Sequence, residues 1–450
     1  MRIAIVAEVF LPKVDGVVGR TLNLIRGLQA RGDDVIVVCP AVPDPRTAPV
    51  PLVEFPSFSC RVYPDYHIGV PAGNLVQRLH EFRPDVLHFL NPFAFGFQCA
   101  QVLRKSGWNG PALWSFHTQY GEFVRSYPGL QPLSKILWWL MQRQHNTADC
   151  NLTVSSAMVN DLQARGFERV RLWPPAVDAA RFNPSHASAA MRSRLSGRHP
   201  DSPLLLTASR LAPEKNTRFL SEILDRVPAA RLGIVGDGPE RPALERRFAR
   251  HPAQFTGCLV GSELAEAYAS ADVFVYASET ETMGNVILEA MASGLPVVAA
   301  GAGGVTSLVD HGVTGFLFSP GRADEAAGYV RQLLQNPQLR RTMAANALAD
   351  AQRRTWQQAA DSVRGEYMQV VETWQQRPLT LRSPGLPARI CTSLLVAAFR
   401  SLAKHRTSAP GRTGHCTAAE PEVSATTSSI SRPRFADEVF HANNSPEISY

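Results

Sequence analysis

Short apolar runs separated by helix-length stretches recur along the chain, at Ile3 to Ala7, Val35 to Val38, Val86 to Leu90, Leu113 to Phe116 and Leu152 to Val154. Such runs, rich in Val, Ile and Leu, have the pattern of parallel strands buried on both faces. Between them, Arg20 to Arg31, ended by Gly32, and Leu133 to Thr147 read as helices, so the order is a βαβ alternation. After a stretch rich in Pro, Ser, His and Arg around 174–203, the alternation starts again. Its strands are expected at Leu204 to Ala208, Leu232 to Val235, Val273 to Tyr276, Val297 to Ala300 and Gly315 to Phe318. Its helices are expected at Asn216 to Arg226, Glu240 to Ala249, Glu263 to Ser270 and Val286 to Ala292. The pattern predicts an α/β protein of two doubly wound, Rossmann-like domains facing across a cleft, which holds its ligand at the carboxyl ends of the strands. The expected boundaries are 1–175, a linker at 176–202, 203–354, and a final helix at 355–377 that packs back on the first domain. Residues 378–450 form a basic, low-complexity tail.

Composition agrees with this and narrows it. A chain of 450 residues, 45% apolar and 19% charged, has the make-up of a globular protein of several domains. The net charge of +7 suits a nucleic-acid, membrane or phosphate-bearing partner without choosing among them, and +3 of it lies in residues 378–450. Most of residues 405–450 is expected to be disordered, holding too little apolar surface to offset its chain entropy. Arg389 to Lys404 fits either a membrane-surface helix or a terminal helix docked on the protein. The seven cysteines, never closer than 21 residues, form no metal knuckle or disulfide framework, which points to a reducing cytosol. Glu8 interrupts the first apolar run too early for a signal peptide, and no uncharged run of about 18 apolar residues occurs.

Two loops carry the candidate chemistry. In Ser209-Arg210-Leu211-Ala212-Pro213-Glu214-Lys215, directly after a strand, two cations stand five apart, a spacing that suits a diphosphate whose departing oxygen gathers charge. In Ser278 to Met291, Thr282 is the expected N-cap, Gly284 leaves the first turn open for phosphate, and Glu281 and Glu289 are placed to meet hydroxyls. By spacing alone the same residues also describe a capped amphipathic helix with solvated acids. Gly16 and Gly19 before a helix are a weak phosphate signal and no dinucleotide fingerprint, and Gly236-Asp237-Gly238 reads as a tight turn closing a strand. His117, at the end of a strand, is expected to point into the cleft mouth, although a lone histidine is more often structural. There is no D-x-D pair, P-loop, H-E-x-x-H or G-x-S-x-G.

Taken in order, the Gly16 loop, Ser115-Phe116-His117-Thr118, Ser209-Arg210-Leu211 with Glu214-Lys215-Asn216, Gly236-Asp237-Gly238-Pro239, and Glu281 with Glu289 resemble the retaining glycosyltransferases of family 4, which have the GT-B architecture. The resemblance spans residues 1 to 377. It is strongest to cyanobacterial and plastid sulfolipid synthases, through Ser278 to Asn285, Tyr268 to Val275 and Ala302-Gly303-Gly304-Val305. It implies transfer of sulfoquinovose from its UDP derivative to diacylglycerol, without a metal or other cofactor. By position, it implies that Gly16 meets the donor diphosphate and that Arg210 and Lys215 hold it as leaving group. Met283, Gly284, Asn285 and Val286, beside Thr282, would line the phosphates, Glu289 would bind the ribose, Glu281 would face the transferred sugar and His117 would approach it near C6.

Where relatives carry a basic residue and a glycine before Val-Asp, this chain reads Trp173-Pro174-Pro175-Ala176-Val177-Asp178, so a sulfonate would need another cation such as Arg125 or Lys135. The implied partners are a nucleotide sugar and a lipid acceptor, with peripheral contact at the cytoplasmic face of a membrane. The segment Leu133 to Arg143, with Lys135, Trp138, Trp139 and Arg143, reads either as a lipid contact or as a buried helix with snorkelling ends. A GDP-mannose-dependent mannosyltransferase is the enzymatic alternative, and an inactive nucleotide-sugar-binding or membrane scaffold protein the non-enzymatic one. No nucleic-acid recognition module is visible.

Overall fold

The computed structural model describes residues 1–13, 15–41, 48–60, 63–71, 74–121 and 132–376. Arg125, the segment Arg389 to Lys404 and the tail therefore lie outside the described residues. The first sheet is built from β1 (Arg2–Ala7), β2 (Asp34–Pro40), β3 (Leu52–Phe55), β6 (Val86–Leu90), β7 (Ala112–Phe116), β8 (Cys150–Thr153) and β9 (Val170–Leu172). These run parallel in the order β3-β2-β1-β6-β7-β8-β9, while β4 (Ser57–Cys60) and β5 (Tyr63–Gly69) pair as an antiparallel hairpin. The second sheet contains β10 (Leu204–Ala208), β11 (Arg231–Val235), β12 (Ala253–Gly257), β13 (Val273–Tyr276), β14 (Val297–Ala300) and β15 (Gly315–Phe318). Its strands are parallel in the order β12-β11-β10-β13-β14-β15.

Both sheets are covered on both faces, as the unbroken apolar runs require. Along β1, Ala4 and Val6 enter one core and Ile3, Ile5 and Ala7 the other. Along β10, Leu204, Leu206 and Ala208 face one core and Leu205 the opposite one. Each fully buried Val, Leu or Ile among them contributes roughly 1.5–3 kcal/mol. In both sheets the strand order reverses beside the first strand, between β1 and β6 and between β10 and β13. Loops leaving these neighbours diverge above and below the sheet and open a crevice at its carboxyl end.

The helix Trp356–Gln376 packs on the helix Gly16–Ala30, so closely that a Cβ on Gly27 would lie 2.3 Å from that of Ala360. Arg31 pairs with Asp361 at 2.5 Å, and Arg364 with the buried Asp33 at 2.7 Å. The stretch 176–202, expected as linker, is partly structured. Ser188 caps the helix Ala189–Leu195, whose Met191 and Leu195 join the core beneath the second sheet. The polar composition of this helix conceals its two inward positions, so no apolar pattern marks it.

Candidate active site

Three loops of the second sheet and two segments of the first meet at the carboxyl ends of the strands. After β10, Arg210 donates to Glu214 at 2.5 Å across the Pro213 turn, so this cation is held by an acid four residues on. Lys215 reaches the loop after β13 and donates to Glu281 at 2.6 Å, where Tyr276 also donates at 2.6 Å. Burial raises the Glu281 carboxyl, but the charge and hydrogen bond of Lys215, with Tyr276 and Ser278, outweigh it and hold the group below its usual range. Glu289 behaves in the opposite sense. Burial pushes it up, and the Tyr268 hydroxyl at 2.9 Å and the charge of Arg181 offset this only in part.

Two glycines seat these loops. A Cβ on Gly236, whose φ is +126°, would lie 1.9 Å from the Ser209 carbonyl oxygen, so the Gly236-Asp237-Gly238 turn is pressed directly under the Arg210 loop. There the Leu211 amide donates to the Asp237 carbonyl at 2.9 Å. A Cβ on Gly304 would stand 2.2 Å from the Thr282 carbonyl oxygen, and the Gly304 amide donates to the Glu281 carbonyl at 2.7 Å. What reads in the sequence as a strand-closing turn is the support of the cation loop.

Thr282 is not the N-cap. The helix Asn285–Ala292 starts from Gly284, at φ +91°, and no side chain caps it. Glu289 stands about one turn into that helix. The Thr282 hydroxyl turns instead to the first half and donates to the His117 carbonyl at 2.7 Å, while Ser155 donates to the Thr282 carbonyl at 2.7 Å. Facing this open helix end is a second helix end, which is capped. Asp15 caps the helix Gly16–Ala30 by accepting from the Val17 and Val18 amides, and Gly16 itself is exposed. A Cβ on Gly16 would lie 2.6 Å from the Asn285 amide nitrogen. Two helix N-termini, with Met283, Asn285 and Val286 on one side and Gly16 on the other, thus converge from the two halves, an arrangement that favours an anion.

His117 lies directly after β7, as its position in the sequence implies, and most of its ring is buried. It is only 8% exposed, its Nε2 is 3.0 Å from the Ser115 hydroxyl, and its ring packs edge-on against Trp173. Burial lowers its pKa well below the usual value, and the charge of Arg20 adds to this, so the imidazole is neutral.

Arg20 itself is a participant that sequence reasoning missed. Buried between the rings of Trp173 and Trp356, it donates to the Met283 sulfur at 3.1 Å and to the Trp173 and Pro174 carbonyls at 2.9 and 2.5 Å. Its signal was a cation four residues before Leu24, on the apolar stripe of its helix. Glu8 was missed as well. Its buried carboxylate accepts from the amides of Phe93, Phe95 and Gly96 and from the Tyr66 hydroxyl, and so caps the helix Ala94–Lys105 from a distant strand end.

The expected lipid-contact segment divides. On the helix Leu133–His145, Trp138 is buried against Phe116, whereas Ile136 and Trp139 are exposed, and Arg143 lies 5.0 Å over the Trp139 ring. Lys135 is exposed on the same helix. Among the described residues, no helix is long and apolar enough to cross a membrane, and no cluster of three or more His, Cys, Asp or Glu is placed to hold a metal ion.

Comparison with known proteins agrees with this geometry. A model described as Glycosyltransferase Family 4 matches residues 14–181, and one described as Glycosyl transferases group 1 matches 202–336. The chain is 35% identical to the sulfoquinovosyl transferase SQD2 of Arabidopsis thaliana, over 82% of this chain and 74% of that one. It is also 35% identical to a GDP-mannose-dependent alpha-mannosyltransferase of Mycobacterium tuberculosis, over 82% of this chain and 96% of the relative. An alpha-monoglucosyldiacylglycerol synthase of Acholeplasma laidlawii is 26% identical over 77% and 92% of the two chains. Among solved structures, the Anabaena protein HepE in complex with UDP and glucose superposes with a TM-score of 0.64 at 20% identity, covering 82% of this chain and 99% of HepE. With two α/β halves of this topology and a match of this extent, the chain belongs to glycosyltransferase family 4 and is a glycosyltransferase of the GT-B fold.

Proposed function

We propose that this glycosyltransferase moves sulfoquinovose from UDP-sulfoquinovose to diacylglycerol with retention of anomeric configuration and without a metal ion. The observation that carries the donor class is the meeting of the Gly16 and Asn285 helix ends beside Arg210 and Lys215. Two helix ends and two cations border the place a diphosphate would take, and of these the Asn285 end alone has no side-chain cap or carboxylate partner among the described residues. In this reading, Arg210 and Lys215 exchange their carboxylate partners for phosphate oxygens as the sugar–phosphate bond breaks. That exchange neutralises the charge growing on the departing diphosphate. Lys215 leaving Glu281 frees that carboxylate to accept from the sugar, and Glu289 accepts from the ribose. His117, neutral, serves as a hydrogen-bond partner and not as a proton carrier.

The lipid acceptor is supported by the resemblance to SQD2, by the diacylglycerol named for the Acholeplasma relative, and by the exposed Ile136 and Trp139 beside Lys135 and Arg143. These would hold the protein at the cytoplasmic face of a membrane. A second reading, mannosyl transfer from GDP-mannose, is favoured by the equal 35% identity to the mycobacterial enzyme, which matches over nearly its whole length.

The test is to give purified protein and diacylglycerol vesicles UDP-sulfoquinovose, UDP-glucose and GDP-mannose in turn, with and without EDTA. Labelled α-linked sulfolipid, formed equally in EDTA, is the expected product. Product from GDP-mannose alone would replace the sulfolipid reading with the second, and no transfer from any donor alongside donor binding would favour an inactive scaffold.

A further inference from the structure

A line of buried polar groups runs from the last helix to the cleft. The hydroxyl of Tyr367, on the helix Trp356–Gln376, is 2.6 Å from Nδ1 of His88 in the middle of β6. His88 Nε2 is 2.9 Å from the hydroxyl of Ser115 on β7, and that hydroxyl is 3.0 Å from Nε2 of His117. Tyr367, His88 and Ser115 are all fully buried, in a setting of apolar and aromatic side chains.

The direction of the hydrogens along this line follows from its closed end. The Tyr367 hydroxyl has a single partner among the described residues, His88 Nδ1. Were His88 to donate through Nδ1, the phenol hydrogen would be buried with no acceptor, a penalty that native interiors avoid. The phenol therefore donates to His88 Nδ1. His88 cannot carry a second proton to donate both ways, because burial lowers its pKa to about 3. Its one N–H is thus on Nε2 and donates to Ser115, which leaves the serine hydrogen to donate to His117 Nε2. His117, itself neutral, must then hold its proton on Nδ1, the ring nitrogen that has no protein partner among the described residues.

We propose that Tyr367, His88 and Ser115 are positioning residues that polarise one hydrogen-bond chain and fix His117 in its Nδ1–H tautomer, so that the cleft is offered a donor rather than an acceptor. The consequence for transfer rests on the reading above, in which His117 approaches the sugar. A sugar oxygen is then met by a preset N–H that needs no reorientation as the donor binds. The last helix thereby takes part in the chemistry of the cleft without touching it.

The experiment reads the tautomer directly. Nitrogen-15 shifts of the His117 ring, assigned with a His117→Gln variant, are expected to show a protonated Nδ1 and an unprotonated Nε2 in the wild-type protein. Tyr367→Phe keeps the ring and removes the closed end, so a mixture of tautomers should appear, with a two- to tenfold fall in kcat/KM for whichever of the three donors supports turnover. Ser115→Ala severs the chain and should cost about tenfold, and adding Tyr367→Phe to it should then cost nothing further. A merely structural role would lower the melting temperature and leave the tautomer unchanged. A protonated Nε2 in the wild-type protein, or a Tyr367→Phe variant with an unaltered tautomer, overturns the proposal. Full turnover by His117→Ala would overturn the sugar-facing role of His117 instead, since the nitrogen shifts do not depend on it.

Discussion

The two halves of the cleft handle polar groups in opposite ways. On the second sheet, Arg210, Lys215, Glu214 and Glu281 remain charged, partly exposed and paired with one another at 2.5–2.6 Å. On the first, Glu8 is buried against backbone amides, and Tyr367, His88, Ser115 and His117 form a neutral line. Partly exposed ion pairs hold their partners weakly, so a charged ligand can take the place of one of them. A buried neutral network cannot be exchanged and serves to hold a geometry. In the reading proposed above, the half with exposed ion pairs is the one that reacts to the donor, and the half that holds the neutral line supplies a fixed wall.

This contrast can be broken most forcefully at Lys215. Lys215→Ala removes the cation paired with Glu281, which in the proposed reading also meets the donor diphosphate, and kcat/KM should fall roughly 10²- to 10³-fold while the fold persists by circular dichroism. Turnover within a fewfold of wild type would show that the second half is no more than a surface ion-pair cluster. Next in size is a loss of stability from the other side. Glu8→Ala leaves the Phe93, Phe95 and Gly96 amides and the Tyr66 hydroxyl without their acceptor, and urea unfolding should register a loss of about 2–4 kcal/mol. Activity per folded molecule should be nearly unchanged, and a loss that matches that of Lys215→Ala would erase the distinction between the halves.

The smallest effect lies within the charged half and is a matter of sign. Glu281 has a lowered pKa, so its contribution to stability is present above the ordinary glutamate value of about 4.3 and is lost as pH falls through its folded value. Glu281→Gln should therefore be destabilised at pH 7, with the deficit shrinking in acid. Glu289 has a raised pKa, so its stability is complete below about 4.3 and declines as pH rises through the folded value. Glu289→Gln should be the more stable protein at pH 7, with no advantage below pH 4. Melting curves at the two pH values decide it, and equal signs for both variants would contradict the opposed environments.

Much of the charged half was legible because its residues are contiguous. Arg210 and Lys215 share one loop, and Glu281 lies in the loop that precedes the helix of Glu289. Strands such as Val273 to Tyr276 and Val297 to Ala300 appear at the residues their apolar runs imply. The neutral half was illegible for the converse reason. Tyr367 lies 279 residues from His88, and a histidine inside the apolar run Val86 to Leu90 gives no sign of what it will face. Thr282 is not the cap because the helix starts only after Gly284, two residues on, and its hydroxyl donates to the His117 carbonyl of the other half. Short elements were lost too. Val170–Leu172 has a single buried residue and Ser57–Cys60 pairs in a hairpin away from the main sheets, so neither produces an apolar run.

Gly236 and Gly304 set a boundary for anyone who would redesign this cleft. A methyl group at either would stand 1.9 or 2.2 Å from a carbonyl oxygen of the loop above it. The heights of the Arg210 and Glu281 loops are therefore dictated by main chain resting on main chain. Side chains that face the donor can be exchanged to change which sugar or base is accepted, and the loops will stay where they are. A change at either glycine would instead lift the loop above it and spoil the cleft for every donor alike, so the tunable positions and the untouchable ones are separated by the thickness of a single loop.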